Sequence, residues 1–201
     1  MPIQVMTKPI ILAITGASGA IYGVRALELL HSLGRETHFV VSTAARPIIE
    51  QETGRTADEV GELASFTYDP ADIGAPVASG SFPTAGMLVA PCSIKTLSAI
   101  ATSYTADLIA RAADVCLKEG RPLVLMVRES PLHIGHLRLM TQAAEAGAVL
   151  CPPIPVFYGR PQTVDDLIDA SVGRALARLG IDNDAFPKWG QAGDQGLGVG
   201  D

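Results

Sequence analysis

Residues Pro9 to Gly23, PIILAITGASGAIYG, set an apolar strand, a glycine-serine turn and an amphipathic helix in immediate succession. Few folds accept that order at the start of a chain. The strand is apolar throughout, as a strand covered on both faces of a parallel sheet must be. The turn predicts unpaired N–H groups at the helix start, and with the helix macrodipole these present about half a positive charge to a phosphate. Gly16 and Gly19 let the backbone turn tightly and approach a ligand.

The pattern then repeats. Ile10 to Ile14 reads as a strand, Tyr22 to Leu33 as a helix stopped by Gly34, Thr37 to Val41 as a strand, and the segment from Ser42 to about Glu52 as a helix closed by Gly54. Gly54 to Pro83 is turn-rich, with a short strand at Phe66 to Tyr68 and a loop at Ala78 to Ser81. Beyond it, strands at Gly86 to Ala90, Pro122 to Val127 and Ala148 to Cys151 alternate with helices at Ser93 to Thr102, Asp107 to Lys118, Leu132 to Ala146 and Val164 to Leu179. The alternation predicts an α/β fold of three layers: a doubly wound, mostly parallel sheet of the Rossmann or flavodoxin type with ligands at the carboxyl ends of the strands. One domain over residues 1–190 is expected, followed by a glycine-rich tail at 191–201 read as disordered.

Composition narrows the partners. Hydrophobic residues make up 48% of the 201 and charged residues 18%, enough apolar material for a sheet covered on both faces. A net charge of −6 gives no general attraction to nucleic acid or an anionic membrane, so phosphate affinity must be local. Cys92, Cys116 and Cys151 are odd in number and widely spaced, which speaks against a disulfide framework or a zinc site and for a reducing, cytoplasmic setting. No run approaches the roughly 18 apolar residues of a membrane span.

A dinucleotide site would read G-x-G-x-x-G and place a carboxylate near the end of the second strand for the ribose. Here Gly16, Gly19 and Gly23 are spaced three and then four apart, and the second strand ends in Val41-Ser42-Thr43. No tyrosine has a lysine four residues on, so the short-chain reductase pair is missing too. A mononucleotide such as FMN fits better, with Ser42, Ser93 and Thr96 either holding its polar edges or simply capping helices.

Two other motifs dissolve in context. His133-Ile-Gly-His136 spells a nucleotidyl-transferase signature but follows a late strand, without the lysine-rich partner motif. Asp165-Asp-Leu-Ile-Asp169 spells a magnesium-diphosphate motif of all-helical enzymes, but Thr163 before Asp166 makes it a capped helix start.

TGASGAIYGVR at Thr15 to Arg25, SGSFPT at Ser79 to Thr84, PCSIKTLSAIA at Pro91 to Ala101, the long stretch from Arg111 to Met140 and FYGRPQTVDDL at Phe157 to Leu167, with Trp189, resemble the UbiX flavin prenyltransferase family. The resemblance runs in order from about Ile10 to Gly190. It implies an enzyme that joins the dimethylallyl group of dimethylallyl monophosphate to N5 and C6 of reduced FMN without a metal. The prenylated FMN would serve UbiD-type decarboxylases, including those of ubiquinone synthesis. It also implies trimers assembled into dodecamers, with sites at subunit interfaces.

Carried over motif by motif, the resemblance assigns FMN to Gly16, Ala17, Ser18, Ser42, Ser93, Ile94, Lys95, Thr96 and Arg128. It assigns the prenyl phosphate to Tyr158, Arg174, Lys118 and Arg111, one of them from a neighbouring subunit. Glu129 is the expected acid for the departing phosphate, through a relay, Glu52 or the phosphate itself the base at flavin C6, and Ser18 a group that orients N5 or a carboxylate, with Lys118 stabilising the leaving charge. Gly159 replaces a frequent histidine, Val127 a proline of some branches, and Ile73 a tryptophan that other branches carry near the flavin. An FMN-dependent cysteine decarboxylase of similar fold remains the alternative enzyme, although Pro76 to Gly80 only vaguely matches its first motif and its second is absent. A non-catalytic FMN carrier is the alternative outside catalysis.

Overall fold

The computed structural model describes residues 7–188. The expected tail at 191–201, and Trp189 with it, lies outside the described residues. Six strands, β1 (Ile10–Ile14), β2 (Thr37–Val41), β3 (Phe66–Tyr68), β4 (Gly86–Cys92), β5 (Leu123–Val127) and β6 (Val149–Leu150), form one sheet in the order β3-β2-β1-β4-β5-β6. Every pairing is parallel. Strand order reverses between β1 and β4, which opens a crevice at their carboxyl ends.

Alternate residues of each central strand feed opposite cores. Ile10, Leu12 and Ile14 of β1 pack on one face with Phe39, Leu88 and Met126, while Ile11 and Ala13 pack on the other with Val40, Met87 and Leu125. The first face is covered by helices α1 (Ala20–Ser32), α2 (Arg46–Thr53), α3 (Ala57–Gly61) and α7 (Val164–Ala177). The second is covered by α4 (Ile94–Ala101), α5 (Leu108–Lys118) and α6 (Ile134–Glu145). The result is the expected three-layer architecture.

The differences from the sequence reading are local. Helix α1 starts two residues early, at Ala20, and α6 is shorter than predicted. Strand β4 runs two residues further, through Pro91 to Cys92, with a register irregularity between Val89 and Cys92. The turn-rich stretch holds a helix that went unread, α3, whose Thr56 and Glu59 form a reciprocal capping box.

Two small residues set the geometry of the crevice. A Cβ on Gly23 would meet the Ala90 carbonyl at 2.1 Å and Ile14 Cγ1 at 2.5 Å, so only glycine lets α1 lie this close to β1 and β4. Thr15, fully buried one residue beyond β1, donates its hydroxyl to the Pro91 carbonyl at 2.7 Å and accepts from the Ser93 N–H at 2.8 Å. It ties the two strand ends on either side of the switch point.

Candidate active site

The loops after β1, β2, β4 and β5 enclose a cavity of about 860 Å³, of a size suited to a nucleotide. Gly16, Ala17 and Ser18 form one wall, Ser42 and Thr43 a second, the Ser93-Ile94-Lys95-Thr96 turn a third, and Arg128 with Glu129 the rim. All nine residues expected to hold FMN therefore line one space. Asp69, Pro70 and Ala71, from the stretch that the sequence left weakly defined, close it from another side. Ile73 is 63% exposed and lies outside that lining.

The polar groups of this cavity are arranged for an anionic guest. The Ser42 hydroxyl is buried, caps nothing and has no hydrogen-bond partner among the described residues. A buried hydroxyl left unpaired costs about 1–3 kcal/mol, which a ligand acceptor or donor recovers. Helix α4 opens into the same space. Ser93 caps it, accepting from the Thr96 N–H at 3.3 Å, and the exposed Lys95 ammonium makes no ion pair or hydrogen bond among the described residues. Arg128, anchored by its N–H on the Cys92 carbonyl at 3.1 Å, keeps its guanidinium equally uncommitted. Its charge also reaches Tyr22, partly offsetting the upward push that burial gives that phenol.

The start of α1 departs from expectation. Gly19, in a left-handed conformation at φ 97°, has no side chain to cap the helix. The Glu52 carboxylate does so instead, accepting from Gly19 N–H at 2.9 and 3.0 Å and from Ala20 N–H at 2.7 Å. Two of the donors anticipated for a phosphate are thus already taken by a negative charge. Gly16, Ala17 and Ser18 remain a wall of the cavity, while α4, capped by Ser93 at Thr96 alone, keeps no carboxylate at its N-terminus and has the Lys95 cation beside it.

Glu52 lines a second space of about 570 Å³ that shares Ser18 and Arg128 with the first. Pro153, Val164 and Ile168 form its far side. The next turns of α7 and the flanking residues Pro152 and Ile154 line a third cavity, of about 510 Å³, which contains Tyr158 and Arg174. Ser18 and Arg128 therefore line both the nucleotide-sized cavity and the second space, and the second and third spaces are both built on residues 152–154 and α7. Tyr158 donates to the Pro187 carbonyl at 3.0 Å, and the Arg174 guanidinium lies 6.0 Å from the Phe186 ring centre.

Arg111 and Lys118 lie elsewhere. Both are on α5 and line none of these three cavities; Arg111 donates to the Ala78 carbonyl at 3.2 Å and pairs with Asp114, while Lys118 pairs with Glu119. Glu129 is on the rim, its carboxylate accepting from the Ser130 N–H at 2.9 Å. Neither rejected motif has become a site. His133 caps α6 and its ring lies 3.6 Å from that of His136, while Asp166 caps α7 and Asp169 pairs with Arg25. Among the described residues no group of three or more His, Cys, Asp or Glu side chains is placed to hold a metal ion. Nor is any helix among them long and apolar enough to cross a membrane.

Thr15, Asn183 and the segment Phe186 to Lys188 shape these cavities and were not singled out by sequence. Thr15 was visible only as the first letter of the glycine-serine turn, and the segment follows the last predicted helix without any periodic signal.

Comparison with known proteins gives a consistent picture. A family model described as Flavoprotein matches residues 4–176. The flavin prenyltransferase UbiX of Salmonella typhimurium is 58% identical over 185 residues, covering 90% of this chain and 98% of the relative. The crystal structure of AnUbiX (PadA1) in complex with FMN and dimethylallyl pyrophosphate superposes with a TM-score of 0.89 at 46% identity, covering 91% of this chain and 97% of that one. A dodecameric FMN-dependent UbiX-like decarboxylase from Escherichia coli O157:H7 follows at a TM-score of 0.87 and 45% identity, covering 90% and 98%.

Proposed function

The chain belongs to the UbiX family of flavin prenyltransferases, enzymes that prenylate FMN, and we propose that its reaction runs across the wall between the first and third cavities. The observation that carries this reading is the second space, which shares Ser18 and Arg128 with the first cavity, contains Glu52 and draws on the same α7 and 152–154 stretch as the third. FMN is a substrate of the first. Gly16, Ala17, Ser18, Ser42, the Ser93 to Thr96 turn and Arg128 would hold it, with its phosphate at the α4 N-terminus beside Lys95. The α4 N-terminus, capped by a neutral hydroxyl and not by a carboxylate, and its uncommitted Lys95 ammonium support that choice over α1, where Glu52 already supplies the anion.

The third cavity takes the prenyl phosphate, with Arg174 as its charged donor and the Tyr158 hydroxyl turning to it from the Pro187 carbonyl. The donor is dimethylallyl monophosphate, and the related structure with dimethylallyl pyrophosphate supports a prenyl donor of that carbon skeleton. The allylic C–O bond breaks with its electron pair leaving on phosphate, and N5 of the reduced flavin supplies the pair for the new C–N bond. The N5 proton passes to the leaving phosphate through Glu129. Closure on C6 breaks that C–H bond and saturates the former alkene: the phosphate that took up the N5 proton gives it to the alkene, and the C6 proton leaves towards Glu52. Arg174, Tyr158 and Arg128 stabilise the charge that grows on phosphate as the bond breaks, so they favour the transition state over the ground state. No metal enters any of these steps.

Arg111 and Lys118 belong to this machinery only if a neighbouring subunit supplies them, since their own chain keeps them on α5. The dodecameric relative supports an oligomer, and in this proposal the sites lie at its subunit interfaces. A cytoplasmic dodecamer passing prenylated FMN to a UbiD-type decarboxylase, as in ubiquinone synthesis, completes the proposal.

The experiment that tests the assignment compares Glu129→Gln and Lys118→Ala with the native protein. Both should keep bound yellow flavin and lose prenyl transfer. Full delivery of flavin function by both variants would instead identify an FMN carrier.

A further inference from the structure

The third cavity has a cation that no motif accounts for. After α7 the chain folds back on itself, and Asn183, only 7% exposed, pins the return: its amide donates to the Gly173 and Ile181 carbonyls, both at 3.1 Å, and accepts from the Ala185 N–H at 3.1 Å. A Cβ on Gly173 would lie 2.6 Å from the Asn183 amide oxygen, so the glycine leaves room for this anchor. The Tyr158 hydroxyl latches the same segment through the Pro187 carbonyl. The next residue, Lys188, lines the cavity with Tyr158 and Arg174.

We infer that Lys188 is a binding residue for the phosphate of the prenyl donor, presented by a segment that Asn183 holds against α7. This rests on the reading of the third cavity as the donor site. A phosphate ester in its dianionic form calls for two compensating charges, and among the residues that line this cavity Arg174 supplies one. Lys188 supplies the second. Its ammonium stands 3.8 and 3.9 Å from Asp182 and Asp184, beyond hydrogen-bond reach, and both carboxylates are fully solvated. Ion pairs of that kind are screened and weak, so a dianion in the cavity displaces them at little cost. The field inside is already positive: the Cys151 thiol in the cavity wall, pushed up by burial, is drawn back by the charges of Arg174 and Arg178.

The test measures donor KM, kcat and FMN affinity for the full chain with reduced FMN and dimethylallyl monophosphate, in Lys188→Gln, Lys188→Arg and Arg174→Ala. Losing one charge-assisted hydrogen bond should raise the donor KM of Lys188→Gln about tenfold. FMN affinity and kcat should stay within about twofold of native, and Lys188→Arg should restore most of the KM on the same charge argument. Native donor KM in Lys188→Gln, with Arg174→Ala impaired, overturns the inference and leaves the donor site standing. Native donor KM in both variants overturns the donor site itself. A loss of FMN affinity in Lys188→Gln that arginine does not rescue overturns the inference in favour of a structural role.

Discussion

The carboxylate of Glu52 caps Gly19 from 33 residues away, closing the N-terminus of α1 that the glycine leaves without a side-chain acceptor. One side chain thereby serves the helix and the site. Glu52→Ala should lower stability by about 1 kcal/mol, the ordinary worth of a helix cap, and should abolish most prenyl transfer. It should also free two N–H donors, so sulfate should raise the melting temperature of Glu52→Ala more than that of the native protein. Equal sulfate shifts would show that the α1 terminus is closed by something other than this carboxylate.

Thr15 and Ser93 offer a second handle. Thr15→Val removes both side-chain hydrogen bonds between the ends of β1 and β4, keeping the one from its backbone N–H to Pro91, and leaves the Ser93 N–H buried without an acceptor, at about 1–3 kcal/mol. Because Ser93 caps α4, FMN affinity should fall by roughly tenfold, while Thr15→Ser should bind nearly as the native protein does. Flavin fluorescence titration reads both.

Gly23→Ala tests the packing of α1. Replacing a mid-helix glycine by alanine usually stabilises a helix by about 0.5–1 kcal/mol. Here the added methyl would stand 2.1 Å from the Ala90 backbone carbonyl, and a backbone atom cannot swing away. The substitution should therefore destabilise by about 3 kcal/mol in a denaturant titration.

Helix α7 carries Arg174 and begins with the Thr163 and Asp166 capping box. N–H bonds from Gln162 and Thr163 hold the Asp166 carboxyl below its ordinary value of 3.8. A lowered folded-state pKa stabilises the protein fully above about pH 4, and that contribution is lost as pH falls through the lowered value. Asp166→Asn should therefore melt below the native protein at neutral pH, and the difference should shrink as pH falls below 4. A gap that stays constant with pH would remove the charge from the explanation.

Much of the fold was legible because β1, β4 and β5 are buried along their whole length and written in apolar residues. Strand β3 is mostly exposed and α3 spans five residues, so neither carries an apolar period; the Thr56 and Glu59 pair was the signal that would have found α3. The FMN-binding wall was readable because seven of its nine residues are contiguous in two short motifs, at Gly16 to Ser18 and Ser93 to Thr96. The cap on α1 was not, since Glu52 and Gly19 meet only after the chain has passed through β2 and α2. Nor was the separation of Arg111 and Lys118 from Tyr158 and Arg174, for a motif says which residues act together without saying which copy supplies them.

The most direct test is the mass of the flavin recovered after anaerobic incubation of the protein with reduced FMN and dimethylallyl monophosphate, without added metal. A gain of one C5H8 unit, released with one equivalent of phosphate, is the predicted result. Recovery of FMN at its original mass, with the prenyl phosphate intact, would contradict the account.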